Sequence, residues 1–529
     1  MKTATAAPPN KWLVAASVGM GSLMAAIDTS IVNVALPHIR GSVGATVQEI
    51  TWISTAYIIA TVLVMPLSGI LGSILGQKRL YLVSLVIFVI GSALCGIART
   101  LTTLVVYRTI QGFGAGALQP TQQAILRQTF PPKEQGMAMA MFAMVIMVGP
   151  AVGPTLGGWL TDNFSWPWIF YINVPLGAIG VFMTWRFYVE ADDVREANRL
   201  RAMQLKKSFD YAGLVLLTIV VSTMQYVLEE GQRDDWFESR TITICTVVGV
   251  IATAAFMIRE LTTETPIINF RLFRDPTFAS GTLIGGILYA MLMGSMFLLP
   301  VFLQEMLGYD ATDSGMALMP RTVAMMLLVP LVGRLYNSVP PAATIAFGGV
   351  LFAIGNYKLA HITLESSTRD MLLPMIVTGF GFACLLIPLT TASLSKVARA
   401  DLADASGLNS FVRQIGGSIG LTLFATKLSD YTKAGVVSVG AHVSSLRLEA
   451  TDALNGTARF LMSAGHDAVS AQQASLASIY GRVARQASVL AFDKIFLLQS
   501  IAFVAILPLL LFLRVERVSG DTHVELSVE

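Results

Sequence analysis

Ionisable side chains are scarce in the long apolar stretches of this chain, so each one found there needs a physical reason. Asp28 stands in Ile27-Asp28-Thr29-Ser30-Ile31-Val32-Asn33, and Arg108 in Arg108-Thr109-Ile110-Gln111-Gly112. Their apolar runs, at about 12–36 and 101–124, cross in opposite directions. At the helical rise of about 1.5 Å per residue, Asp28 lies ~12 Å and Arg108 ~10 Å below the same surface. Alone, either charge would be costly in an apolar medium; at one depth they can hold each other. Such a pair is either a site that a proton or a cation opens by binding at Asp28, or a fixed pin between two helices.

The second half carries two arginines of the same kind. Arg321, in Met319-Pro320-Arg321, and Arg413, in Phe411-Val412-Arg413-Gln414-Ile415-Gly416-Gly417, each fall ~13 Å from the start of their helix. Asp493, near the outer end of the last apolar run, is the only carboxylate expected near that depth. Poorly paired arginines beside a cavity favour anionic or weakly acidic ligands; alternatively they cap carbonyls of broken helices. With Asn33, Gln111 and Gln414 they are the candidate lining of a substrate cleft. Methionines cluster at Met137–Met147, Met291–Met296 and Met316–Met326, where they serve either an adaptable apolar pocket or ordinary helix and lipid contacts.

Other chemistry is argued against. Gly416-Gly417-Ser418-Ile419-Gly420 fits a hydrolase nucleophile pattern but sits in an apolar helix with no strand before it. No phosphate-binding loop occurs, the five histidines have no ligand spacing, and Cys95, Cys245 and Cys384 fall in separate apolar runs. Neither ATP nor a metal is implied, and an enzyme's convergent nucleophile and base are not found.

These residues must be positioned by membrane helices. Hydrophobic residues make up 54% of the 529 and charged residues only 13%, about half the usual charged share, with mean hydropathy +0.66. Apolar runs fall at about 12–36, 51–74, 80–98, 101–124, 137–160, 168–187, 211–229, 241–259, 277–304, 312–335, 342–362, 371–394, 404–428 and 488–514. That predicts fourteen helices, the first retained rather than cleaved as a signal, with both termini on one side. Connections on that side hold Lys78, Arg79, Arg127, Lys133, the basic residues of 195–207, Arg271, Arg274, Lys396 and Arg399, and the tails add Lys2, Arg514 and Arg517. The other side holds only Arg40, Arg99, Arg233, Arg240 and Arg369, so both termini are expected in the cytoplasm. The expected division is a six-helix bundle over 1–189, a cytoplasmic linker and two extra helices over 190–276, a second six-helix bundle over 277–514, and a cytoplasmic tail over 515–529. Within the second bundle, 429–487 is an external polar segment with helix-like apolar spacing, read as a helical cap or as a plain surface loop.

The run Gly149-Pro150-Ala151-Val152-Gly153-Pro154-Thr155-Leu156-Gly157-Gly158 combines two helix-breaking prolines with a face of small residues. This suits a bent, smooth packing surface. It resembles the antiporter motif on the fifth helix of drug exporters of the major facilitator superfamily. Arg108 to Ala117 is similar to that superfamily's helix 4 signature, and Gly69 to Arg79 to its cytoplasmic gating loop. Many members have an aspartate where this chain has Ser73. Asp28 to Pro37 and Trp166 to Gly177 resemble signatures of the fourteen-helix drug:proton antiporters, with exporters of the EmrB and QacA type the nearest match.

The resemblance implies an all-α integral membrane protein of the major facilitator fold, with two six-helix bundles rocking about a cleft. It implies proton-driven export of hydrophobic or amphipathic drugs across a bacterial inner membrane, with the proton as coupling ion and no cofactor. It further implies an EmrA-like periplasmic adaptor and a TolC-like outer-membrane channel as partners. Asp28 would carry the proton with Arg108 as partner. Gly149, Pro150, Gly153, Pro154, Gly157 and Gly158 would form the antiport helix, and Gly69, Gly76, Lys78 and Arg79 the gating loop. Proton-coupled import of a small organic solute, or ligand sensing without transport, are the alternatives on the same scaffold.

Overall fold

Local chemistry sets the helix ends. Asn10 caps the first helix through the Trp12 amide (3.0 Å), and Gly44 closes it with φ 65°. Thr100 and Ser367 form capping boxes with Thr103 and Asp370, and Asp275 with Pro276 starts the first helix of the second half. The structure, a computed structural model, describes residues 10–512 apart from 208, 264, 337 and 444–446. Lys2, Arg514, Arg517 and the tail 515–529 lie outside the described residues, as does the side chain of Pro150.

Every apolar run falls on a helix. In chain order these are α1 (Lys11–Val43), α2 (Trp52–Leu75), α3 (Gln77–Ile97), α4 (Leu101–Thr129), α5 (Gln135–Asn163), α6 (Trp168–Phe187) and α7 (Tyr211–Glu230). There follow α8 (Arg240–Thr262), α9 (Pro276–Val301), α10 (Ala311–Leu335), α11 (Pro341–Leu359), α12 (Thr368–Ser393), α13 (Leu402–Gly440) and α14 (Ala468–Ile506). Twelve of them are long and apolar enough to cross a membrane. The other two, α4 and α13, fall short in hydropathy. Helix α4 carries Arg108, Gln111, Gln122, Gln123, Arg127 and Gln128, all buried inside the protein, where a helix needs no apolar surface for lipid.

The helices α1–α6 form one bundle and α9–α14 another, and the two share one packing scheme. Helix α4 packs on α2 and α3, and α1 on α5 and α6; likewise α12 packs on α10 and α11, and α9 on α13. Across the seam α5 meets α10 and α2 meets α13, each helix meeting the counterpart of its partner's equivalent, so the bundles follow a pseudo-twofold. The glycines repeat it. A Cβ on Gly112 would press on the Tyr57 carbonyl of α2, and one on Gly379 on the Arg321 carbonyl of α10. Gly114 approaches Ser84 and Phe88 of α3 as Gly381 approaches Gly348 and Phe352 of α11. Gly149 and Gly153 meet Ala26 and Ser30 on α1 as Gly416 and Gly420 meet Gly286 and Ala290 on α9. The echo of Gly112-Phe113-Gly114 in Gly379-Phe380-Gly381 is the sequence trace of this repeat.

Three elements lie outside the scheme. A linker helix (Asp192–Lys207) follows α6 and packs on α2. The hairpin α7–α8 leans on α2 and α13 through α7. The described residues of 429–487 are mostly helical: α13 and α14, 39 residues each, run on past the bundle, and a short helix (Leu448–Ser463) packs on α14. At about 1.5 Å per residue each spans ~58 Å, well beyond a hydrocarbon core of ~30 Å, so these ends stand clear of it. Ser475 Oγ donates to the Leu454 carbonyl (2.6 Å) and Arg485 to the Met306 carbonyl (2.5 Å), joining the protrusion to itself and to the bundle.

Gly149→Val is expected to lower the unfolding midpoint in detergent by an amount equivalent to about 1–3 kcal/mol, because the added carbons meet the Ala26 backbone. Gly456→Ala, in the short helix with open space around it, is expected to stabilise by no more than ~1 kcal/mol. Equal midpoints for wild type and Gly149→Val would contradict the close α1–α5 contact.

Candidate functional site

Asp28 and Arg108 meet as their depths predict. Both are buried, with Arg108 Nη1 2.6 Å from Asp28 Oδ2. The other carboxylate oxygen accepts from Gln111 Nε2 (2.8 Å) and from Asn173 Nδ2 (3.1 Å). Arg108 also donates to Gln111 Oε1 (2.8 Å) and, through Nε, to the Ile53 carbonyl (3.3 Å). Its guanidinium lies 4.1 Å from the Tyr57 ring centroid and 5.7 Å from that of Phe170. Behind it, Asn173 donates to Ser92 Oγ (3.1 Å), which donates to the Phe170 carbonyl (2.8 Å). Groups from α1, α2, α3, α4 and α6 thus join one network around the pair, the donors to the carboxylate coming from α4 and α6. Each donor to Asp28 other than Arg108 is a neutral amide, so the site holds one negative and one positive charge in balance.

Asn173 is a functional candidate that the residue-by-residue reading passed over, although it lies in the Trp166 to Gly177 stretch. Its signal was an amide inside an apolar run. Gln111, expected in a substrate cleft, instead completes the cage around Asp28. Asn33 is exposed and accepts from Ser54 Oγ (3.4 Å), so it stands apart from Gln111.

The second bundle lacks a counterpart of the pair. Under the pseudo-twofold, the positions of Asp28 and Arg108 fall on Leu288 and Met375, both buried apolar residues. Arg321 and Arg413 are buried without a carboxylate partner among the described residues; Arg321 Nη2 and Arg413 Nε have no hydrogen bond. The Arg321 guanidinium lies 5.8 Å from the Phe352 ring and 5.9 Å from that of Phe382. Gln414, next to Arg413, is half-buried.

The small-residue helix grips the helix that bears the carboxylate. Cβ atoms on Gly149, Gly153 and Gly157 would come within 3.0 Å of Ala26, Ser30 and Ile31 respectively. Asp28 therefore lies between two of these contacts. Gly158 is also buried, while Pro154 and Thr155 approach Gly315 of α10 on the opposite bundle.

At the end where α1 begins, called here the near end, the bundles are tied together. Arg127 donates to the Thr391 carbonyl (3.0 Å), Arg399 to the Gln128 carbonyl (2.7 Å), and Gln128 to the Arg399 carbonyl (3.3 Å). Gly69 packs on Asp404 of α13, where any side chain would collide with the aspartate backbone. Asp404 is buried and ion-paired with Arg201 of the linker helix. Ser73 Oγ only bonds the Gly69 carbonyl of its own helix (3.0 Å). At this junction the acid comes from α13 and the base from the linker helix, neither anticipated from sequence. Gly76 turns the chain with φ 82°, its neighbour Gln77 donates its amide to Glu190 (3.1 Å), Lys78 donates to the Trp185 carbonyl (2.9 Å), and Arg79 is exposed.

The sequence profile of the Major Facilitator Superfamily matches residues 18–421. The multidrug export protein EmrB of Haemophilus influenzae is 37% identical over 78% of this chain and 79% of its own length. The fatty acid resistance protein FarB of Neisseria gonorrhoeae is 32% identical, covering 94% of each chain, as is EmrB of Escherichia coli K12. Among solved structures, the human organic anion transporter MFSD10 aligns with TM-score 0.59 at 13% identity, covering 94% of this chain and 100% of its own. The proton:xylose symporter XylE also aligns with TM-score 0.59, at 12% identity over 94% and 96% of the two chains.

Arg108→Ala is expected to destabilise the protein by about 3–5 kcal/mol, since it strands a buried carboxylate. The double change Asp28→Asn with Arg108→Gln should cost less than the sum of its singles in detergent unfolding. Arg201→Gln is expected to lengthen the distance between spin labels at Leu75 and Ser395, on the near ends of the two bundles. An unchanged distribution would mean that the Arg201–Asp404 pair does not hold them together.

Proposed function

Because the chain belongs to the major facilitator superfamily and is a transporter rather than an enzyme, we propose that it exports hydrophobic or amphipathic compounds in exchange for protons across a bacterial inner membrane. The buried cage around Asp28 is the observation that carries this reading. A carboxylate whose only cationic partner among the described residues is Arg108 has a large stake in its charge. Adding a proton to Asp28 removes the Coulomb attraction to Arg108 and leaves a neutral acid among neutral amides. The guanidinium keeps the Gln111 and Ile53 oxygens and the Tyr57 ring. The α1–α4 tie is thereby weakened at the place where α1 lies in the glycine stripe of α5. On the other face α5 meets α10 of the second bundle, so a shift of α1 has a direct route to the seam. Protonation is in this way linked to rocking of the bundles between inward- and outward-open forms.

In this reading fourteen helices cross the membrane, α4 and α13 among them as interior helices, and the basic near end faces the cytoplasm with both termini. Arg321 and Arg413 offer unsatisfied donors to substrate, with Gln414 beside them. The roles named for these relatives, multidrug export and fatty acid resistance, agree with amphipathic cargo. The protrusion of 429–487 then lies in the periplasm and offers a docking face for a membrane-fusion adaptor and, through it, an outer-membrane channel. The complete burial of Asp28 favours a second reading, in which the pair is a fixed pin.

Liposomes holding a pH-sensitive dye separate the two. With purified protein and a proton gradient, addition of lipophilic cations, uncouplers or weak acids is expected to move protons. Asp28→Asn is expected to abolish that movement while leaving compound binding in place. Compound-dependent proton flux in Asp28→Asn would assign the pair to the fixed pin.

A further inference from the structure

Two cavities, one polar and one apolar, lie on one side of the first bundle with a Lys78–Trp185 hydrogen bond between their linings. The polar one, about 670 Å³, lies at the near end between the α2–α3 turn, the end of α6 and the linker helix. It is lined by Ser73, Lys78, Arg79, Arg195 and Arg199, with Glu190 as its carboxylate. That carboxylate is already engaged by the Gln77 amide and by Asn198 Nδ2 (3.0 Å). Arg195 is paired with Asp192 (3.4 Å), whereas Arg79 and Arg199 are exposed and have no partner among the described residues. The cavity therefore presents uncompensated positive charge.

The second cavity, about 470 Å³, is an apolar groove between α3 and α6 lined by Val86, Val89, Ile90, Ala178, Val181 and Phe182. Trp185 also lines it, and the Trp185 carbonyl accepts from Lys78 of the polar cavity (2.9 Å), so one hydrogen bond connects the two linings. From Arg79 to Val86 is seven residues along α3, about 10 Å. Polar basic recess and apolar groove thus follow one another along the membrane normal, headgroup layer first.

We propose that this recess binds an anionic phospholipid, its phosphate held by Arg79, Arg199 and Lys78 and an acyl chain lying along the α3–α6 groove. The chemistry requires both parts: a phosphate for the unpaired guanidinium groups and a hydrocarbon tail for a groove with no polar lining. A lipid seated there bridges the α2–α3 turn to the linker helix that supplies Arg201 to Asp404, so bilayer charge supports the tied near end. The inference rests on that end lying in the headgroup layer, and its test reads lipid retention, which does not depend on transport.

Native mass spectrometry of the purified full chain, exchanged with equal phosphatidylglycerol and phosphatidylcholine, decides it. Wild type is expected to retain phosphatidylglycerol preferentially. Arg79→Gln with Arg199→Gln should lower that retention roughly tenfold, in keeping with the attraction of two basic residues to anionic lipid. Ala178→Leu, which fills the groove but leaves the charges, should lower it as well. Arg271→Gln with Arg274→Gln, basic residues elsewhere at the near end, should leave it unchanged. Equal retention of the two lipids, wild-type retention in both recess variants, or an equal loss in the Arg271/Arg274 variant would overturn the assignment. Displacement of the lipid by glycerol phosphate at equal concentration would make the site one for a free phosphate compound and overturn the lipid.

Discussion

A carboxylate and a guanidinium taken out of water together set the terms for the first bundle. Removing either charge from water costs several kcal/mol, and their mutual attraction repays this only with good geometry and satisfied remaining donors and acceptors. The cage supplies these conditions. Gln111 bonds to both partners, Asn173 adds a second amide donor to the carboxylate, and Tyr57 offers a ring face to Arg108. Such convergence requires five helices to keep their register, which makes the pair an organiser of packing.

That register is maintained by backbone contact more than by interlocking side chains. Apolar side chains have little drive to associate with one another rather than with lipid tails, so close approach through small residues carries the helix contacts. Both bundles use the same approach points, Gly149 and Gly153 on α1 and Gly416 and Gly420 on α9. The two diverge in what those contacts enclose: a charged pair in the first, Leu288 and Met375 in the second. A symmetric frame thus carries an asymmetric charge: a buried ion pair in one bundle, and in the other two buried arginines without a carboxylate partner among the described residues.

The near end shows the same division between frame and charge. Gly69 lets α13 come against α2, and the charge there belongs to Asp404 with Arg201 from outside both bundles. With Ser73 bonded only to its own helix, the α2–α3 turn is held in shape by Gly76 and Glu190 and has no carboxylate of its own to contribute. The linker helix is therefore part of the junction between the bundles, beyond its role as a connection.

Much was legible in the sequence because a bilayer imposes one-dimensional rules. A span needs about twenty apolar residues, and depth follows from a constant rise, so the helical runs and the shared depth of Asp28 and Arg108 could be counted along the chain. What counting along one helix leaves undetermined is azimuth, the direction each residue faces once the helices pack. Azimuth alone placed Gln111 in the ion-pair cage, brought in Asn173, set Asn33 beside Ser54, and joined Arg201 to Asp404 across 203 positions of chain. The repeat relating the bundles was likewise visible only once packed, because it resides in which backbones touch and little in which side chains recur. Depth is a property of one helix and its solvent; partnership is a property of the whole packing, and only the tertiary structure decided it.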